Sequence, residues 1–195
     1  MQTDQRIEDL ARRLAPPDAD LLRRAYRFAT AAHGSQRRRH GTPYIEHPVA
    51  VAELAFECFG VLDGEVLAAA LLHDVLEDTE VTDLSGFPER TVCLVWLLTD
   101  EDVPPPAGRR TGRRSRRWAD LWADRDATLL KACDRLSNLA DSLLQYDPAF
   151  CGRYAWRTRR ELLAPGLPLA TDPVARPLLD AAIRRCEERA AGGWP

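Results

Sequence analysis

Four ionisable side chains break into one of the most apolar stretches of the chain: His73, Asp74, Glu77 and Asp78, within AALLHDVLEDT at residues 69–79. Read as one helix, residues four apart share a face, so His73 lies under Glu77 and Asp74 under Asp78. The two pairs are then about 100° apart around the axis, from the ~3.6-residue repeat. Upstream, Val66, Leu67, Ala68, Ala69, Ala70, Leu71 and Leu72 leave no polar face, the pattern of a helix buried on nearly all sides. Left without partners there, such groups would cost on the order of several kcal/mol each. A divalent metal removes that cost, and His with carboxylate is a ligand set suited to Mn, Fe or Zn. The plainer alternative is a helix end whose charges face water, although acidic residues at a helix C-terminus oppose its dipole.

Two other stretches offer ligands to the same chemistry. His47 precedes Pro48 at an expected helix start, and Asp134, Asn138 and Asp141 recur at i, i+4 and i+7 on one face of a later helix. With His73 and Asp74, His47 and Asp134 make two His and two Asp ligands. Positions then remain in an octahedral shell for water or substrate oxygens. A metal lowers the pKa of the water it binds, and Glu77 and Asp78 are placed to take that proton or to protonate a leaving oxygen. Arg37, Arg38 and Arg39 bring guanidinium forks matched to phosphate. The chemistry indicated is metal-assisted hydrolysis of a phosphate ester or anhydride.

The elements that must position these groups all read as helices. TDQRIEDLARRL over residues 3–14 is a short helix stopped by Pro16 and Pro17, and Asp18 is a good N-cap for DADLLRRAYRFATAAH. A loop rich in Gly, Pro and Arg follows over 34–44, and Pro48 takes the first position of the helix PVAVAELAFECF, which stops at Gly60. Asp63 caps the helix bearing the HD pair, and Pro88 starts ERTVCLVWLLTD. Residues 101–112 are poor in regular structure, SRRWADLWADR is a short helix, and Asp126 caps ATLLKACDRLSNLADSLLQY. Two further helices are expected over 148–163 and 172–191. No strand or internal repeat is evident, so the fold class is all-α.

Composition bounds the rest. The 195 residues suit a single domain over 1–195, with a core at 18–165 and a C-terminal helix at 172–191. Hydrophobic residues make up 45% and charged residues 29%, and the net charge of −3 gives no global basic field to draw in nucleic acid. Lys131 is the only lysine; the remaining basic residues are arginine. Five widely spread cysteines with no CxxC pair argue for reduced thiols. No signal-peptide h-region and no apolar run of transmembrane length is visible, so a soluble cytoplasmic protein without a membrane partner is expected.

Several stretches together resemble a known family: AAHGSQRRRHGTPYIEHPVAVA, AALLHDVLEDT, LVWLLTD and LLKACDRLSNLADSL, in this order. The HD pair with an upstream His and a downstream Asp is similar to the HD-domain phosphohydrolases. The full series resembles the hydrolase domain of RelA/SpoT-type alarmone enzymes, above all the stand-alone small alarmone hydrolases. The resemblance runs from about Leu21 to Ala190. It implies an HD-type helical bundle with Mn²⁺ held by His47, His73, Asp74 and Asp134. It also implies Glu77 and Asp78 as the residues that activate water, with Arg38, Arg39 and Asn138 in the nucleotide pocket. The reaction implied is removal of the 3′-pyrophosphate from (p)ppGpp or its adenine analogue. The chain ends where longer relatives continue into a synthetase domain, so alarmone synthesis is not expected.

The alternatives are an HD phosphatase acting on another nucleotide, such as NADPH, and an antitoxin-type partner of an alarmone synthetase. Ser35 stands where the family has Gly, Cys133 replaces Ala before Asp134, Pro88 replaces Gly after Phe87, and an arginine-rich loop precedes Trp118. These departures leave every expected ligand and catalytic carboxylate in place. His33 reads as a structural hydrogen-bonding histidine, His40 as a loop residue and Cys133 as a small core residue. The run RRTGRRSRR at 109–117 reads as a solvated loop.

Overall fold

A computed structural model describes residues 3–99 and 114–192. Ten α-helices and one 3₁₀ turn are present among them. They contain no strand, only an isolated antiparallel bridge between Arg37 and Pro43. The arginine run at 109–117 lies outside the described residues except for the backbone of 114–117, which opens a helix. The chain divides into two compact units, residues 1–130 and 131–195.

The first unit holds α1 (Thr3–Ala11), α2 (Pro16–His33), α3 (Glu46–Phe59), α4 (Gly64–Leu72), α5 (Val75–Asp78), α6 (Glu89–Leu98) and α7 (Arg114–Ala123). It also holds the first residues of α8 (Arg125–Gln145). Helix α4 is its axis. Every residue from Val66 to Leu72 is buried, as the unbroken apolar run requires, and α4 packs against α2, α3 and α6. Asp63 caps it as expected, its carboxylate accepting from the Glu65 and Val66 amides at 2.8 and 3.4 Å.

Asp18 has a different task from the one expected. Helix α2 begins two residues earlier, with Ala15 at the N-cap and Pro16 in the first turn, where a missing amide proton costs nothing. The Asp18 carboxylate instead accepts from the Gly64 amide at 3.1 Å, tying α2 to the start of α4. A Cβ on Gly64 would lie 2.6 Å from the Asp18 Cα, so only glycine permits this approach. Two other starts also move. Helix α3 begins at Glu46, which puts His47 inside its first turn, and α8 is capped by Asp124 rather than Asp126. Asp124 accepts from the amides of both Asp126 and Ala127 at 3.1 Å, and Arg90 of α6 grips Asp124 and Asp126 together. Helix α1 is held by ion pairs from Arg6 to Glu53 and from Glu8 to Arg23, and by Tyr26 donating to Asp4 at 2.7 Å.

The expected single helix over 69–79 is in fact two. Helix α4 stops at Leu72, His73 and Asp74 form a turn, and α5 is one turn long. The His73 imidazole explains the break. Its Nδ1 lies 2.8 Å from the Ala70 carbonyl, an acceptor that a continuing helix would use for the amide of Asp74.

The second unit comprises the rest of α8, then α9 (Pro148–Leu162), the 3₁₀ turn Pro168–Ala170 and α10 (Ala175–Ala190). Asp147 caps α9, and Asp172 accepts from the Val174 and Ala175 amides at the start of α10. Helices α9 and α10 pack through Cys151, Ala155, Leu162, Leu179, Ile183 and Cys186, all fully buried. Cys133 is likewise buried.

Two outcomes follow from this packing. Gly64→Ala should lower the free energy of unfolding by about 1–3 kcal/mol, the usual cost of overpacking. Gly86→Ala, with nothing within 4 Å of the added Cβ, should stay near wild type; urea melts of both variants decide it. Burial, then the bond to Asp4, push the Tyr26 hydroxyl up to about 12. A raised folded pKa means that this stabilisation is whole below the unfolded value near 10 and is lost as pH rises toward 12. The phenolate absorbance missing from Tyr26→Phe should therefore have its midpoint near 12 in the folded protein.

Candidate metal and phosphate site

His47 and His73 reach one place from different helices. His47 stands in the first turn of α3 and His73 at the end of α4; both are almost fully buried, and their ring centroids are 5.1 Å apart. Each offers a nitrogen within 4.8 Å of the other, spacing suited to a shared ion. Asp74 lies against both rings. Its Oδ1 is 3.2 Å from His73 Nε2, and its Oδ2 is 3.5 Å from His47 Nε2.

The donor set fits a divalent metal. A carbonyl can only accept, so the Ala70 contact places the proton of neutral His73 on Nδ1. The Nε2 lone pair is then directed at the same region as the Asp74 carboxylate. Backbone fixation of the distal ring nitrogen is the usual support for a metal-ligating histidine.

The loop joining α2 and α3 is ordered by its own backbone. Arg38 donates to the Thr42 carbonyl and Gly41 to the Arg38 carbonyl, both at 2.8 Å, and Gly41 takes the positive φ of 92° that this reversal needs. Tyr44 closes the loop by donating its amide to Gln36 at 3.0 Å. Its ring stacks on His33 at 4.5 Å, and the Arg38 guanidinium carbon lies 5.6 Å from its centroid. His33 hydrogen-bonds Gln36 through Nδ1 at 2.8 Å, the structural part expected of it. Arg39 and His40 are exposed on the loop, and His40 contacts Thr42.

Tyr44 is the site residue the sequence reading missed. Its hydroxyl lies 2.8 Å from Asp74 Oδ2 and 2.5 Å from Asp78 Oδ2, touching an expected ligand and an expected proton carrier at once. Burial first, and then the Asp74 charge, push this phenol far above its ordinary range, so it remains a donor. A lone tyrosine in a loop has no periodicity to mark it; its place three residues before His47 was the available signal. Glu77 is half-buried on α5, and Asp78 is exposed apart from its bond to Tyr44.

In the second unit, Asp134 is buried on α8 with both oxygens engaged by its own helix face. Asn138 donates to Oδ1 at 2.6 Å, and the Lys131 ammonium donates to Oδ2 at 3.2 Å. Asn138, expected in the nucleotide pocket, orients Asp134. Deeper in that unit the buried Arg135 donates to Thr158 and Glu161, each at 3.2 Å.

Comparison with known proteins follows the same line. Residues 25–95, which carry His47, His73 and Asp74, match the family described as HD domain. The guanosine-3′,5′-bis(diphosphate) 3′-pyrophosphohydrolase MESH1 of Homo sapiens is 38% identical over 130 residues, 64% of this chain and 70% of that protein. The Xenopus tropicalis MESH1 is 37% identical over 129 residues, again 70% of its length. The Aquifex aeolicus 3′-pyrophosphohydrolase is 38% identical over 137 residues, 68% of this chain but only 19% of that longer protein. A solved structure, described as a metazoan ortholog of SpoT that hydrolyzes ppGpp and plays a role in starvation responses, superposes with a TM-score of 0.62 at 26% identity. That match covers 84% of this chain and 94% of the other. The chain is an HD-domain protein. Within that class it belongs to the family of the MESH1 3′-pyrophosphohydrolases.

Proposed function

We propose that this chain removes the 3′-pyrophosphate from (p)ppGpp, giving GDP or GTP and pyrophosphate, with a divalent metal held by His47, His73, Asp74 and Asp134. The observation that carries the reading is the convergence of two imidazole Nε2 atoms on the two oxygens of Asp74, in a chain of the MESH1 family. The burial of Asp134 and its orientation by Asn138 and Lys131 support its part as the remaining ligand. A mixed His and carboxylate set suits Mn²⁺, the metal we assign. When bound, it supplies Lewis acidity, which polarises the phosphoryl group and acidifies water.

The chain's own residues do the rest. Arg38 and Arg39, on the loop before α3, bring cationic forks to the phosphates, and Asn138 is the residue of α8 that we assign to the nucleotide pocket. Glu77 and Asp78, one turn beyond the HD pair, hold the proton that water gives up and return it to the ribose 3′-oxygen as it leaves. Guanine is the base we assign, and the adenine alarmone is the competitor to test.

The deciding experiment incubates Mn²⁺-loaded protein with ppGpp, ppApp and NADPH and separates the products by chromatography. Pyrophosphate and GDP from ppGpp are expected. Release of a single phosphate from NADPH, with ppGpp intact, would overturn the assignment. His73→Ala and Asp74→Ala should each abolish Mn²⁺ binding in a calorimetric titration and lose turnover with it, while full metal occupancy in Asp74→Ala would remove it from the ligand set.

Binding and chemistry should separate between two other variants. Arg38→Ala removes a contact made to a non-reacting part of the substrate, so KM should rise about tenfold or more with kcat little changed. Glu77→Gln should keep its metal and lose about 10²–10⁴-fold in kcat. Steady-state kinetics beside metal analysis read both.

A further inference from the structure

Tyr44 has no part in the reaction as described so far, yet its hydroxyl touches two residues that do. It stands 2.8 Å from Asp74 Oδ2 and 2.5 Å from Asp78 Oδ2, across the turn that separates α4 from α5. Asp78 is otherwise exposed, on a helix of only four residues. A helical turn so short has little stability of its own, so an exposed carboxylate on it samples several rotamers unless something holds it. The phenol is the fixed object in this contact. Its ring is stacked on the buried His33 at 4.5 Å, stands edge-on to His47 at 6.1 Å, and is anchored by its amide to Gln36 at 3.0 Å.

We infer that Tyr44 is a positioning residue whose hydroxyl ties Asp78 to the ligand side chain Asp74. The inference rests on the hydrolase reading above. A phenol has one proton to share between two carboxylates. Where Asp74 Oδ2 serves as a ligand, that proton is left to Asp78, which fixes its carboxylate one turn beyond the HD pair. The same ring faces the Arg38 guanidinium, 5.6 Å from its centroid. The loop that brings cations to the substrate therefore also orients the proton carrier. A substrate gripped by Arg38 meets an Asp78 already in place, and transition-state stabilisation gains from groups that need no reorganisation.

The test uses Tyr44→Phe, Asp78→Asn and the double variant in the full chain. Phenylalanine keeps the stack on His33 and the edge contact to His47 and removes only the hydroxyl. At saturating Mn²⁺, Tyr44→Phe should lower kcat by about 10- to 100-fold, the usual effect of losing a supporting hydrogen bond at such a site. KM should stay within about twofold, since no substrate contact is removed. In the Asp78→Asn background the same substitution should cost almost nothing further, because its effect passes through Asp78.

A second readout needs no substrate. In metal-free protein labelled with ¹³C at the aspartate carboxyls, the Asp78 resonance, assigned by its absence in Asp78→Asn, should move in Tyr44→Phe. Losses that multiply in the double variant, or an unmoved Asp78 resonance, would overturn the tie. A wild-type protein inert toward ppGpp would instead sink the hydrolase reading and leave the resonance measurement to judge Tyr44.

Discussion

From Val66 to Leu72 helix α4 is buried on every side, and that constraint decides where chemistry can occur in the first unit. A helix apolar from Val66 onward and packed against α2, α3 and α6 has no lateral room there for an ionisable group, so polar groups emerge only at its ends, as Glu65 does in the first turn. At the N-terminal end the answer is local: Asp63 caps the helix and Asp18 reaches across to the Gly64 amide. At the other end the orphan carbonyls of the last turn need partners, and the His73 imidazole supplies one by donating to Ala70. One hydrogen bond thereby ends the helix, fixes the tautomer of the ring and directs Nε2 toward Asp74.

The loop between α2 and α3 is the counterpart of that helix end. Its arginines bring positive charge, while the 73–78 segment brings negative charge, and Tyr44 joins the two. Repulsion between Asp74 and Asp78, neighbours across a single turn, is relieved by the hydroxyl between them. A phosphate-bearing substrate needs both signs close together: cations for its oxygens and carboxylates for the proton it exchanges.

Much of this was legible in the sequence because it depends on periodicity. The apolar run from Val66 to Leu72 could belong only to a buried helix, and the stripes of α2 and α8 announced their helices. His73 and Asp74 stood out as polar groups in apolar surroundings and His47 as a ligand type at a helix start, and the structure brings these three together. What escaped was non-local competition for hydrogen-bonding groups. Asp18 and Asp126 look like caps, but the first serves Gly64 and the second yields to Asp124 two residues earlier. The turn at His73 and Asp74 was hidden for a similar reason. Spacing of four suggested one continuous helix, whereas the bond from the His73 side chain to Ala70 decided otherwise.

Among 27 lysines and arginines the chain has one lysine, and its ammonium rests on Asp134. Guanidinium groups stay protonated and are poor nucleophiles, whereas an ε-amine in equilibrium with its neutral form is readily acylated. A reagent selective for lysine side chains thus has a single address in this protein. Acylation there would remove the positive partner of the Asp134 carboxylate without altering another ε-amine. Mass-tagging Lys131 would report on the surroundings of that carboxylate with no background from another lysine.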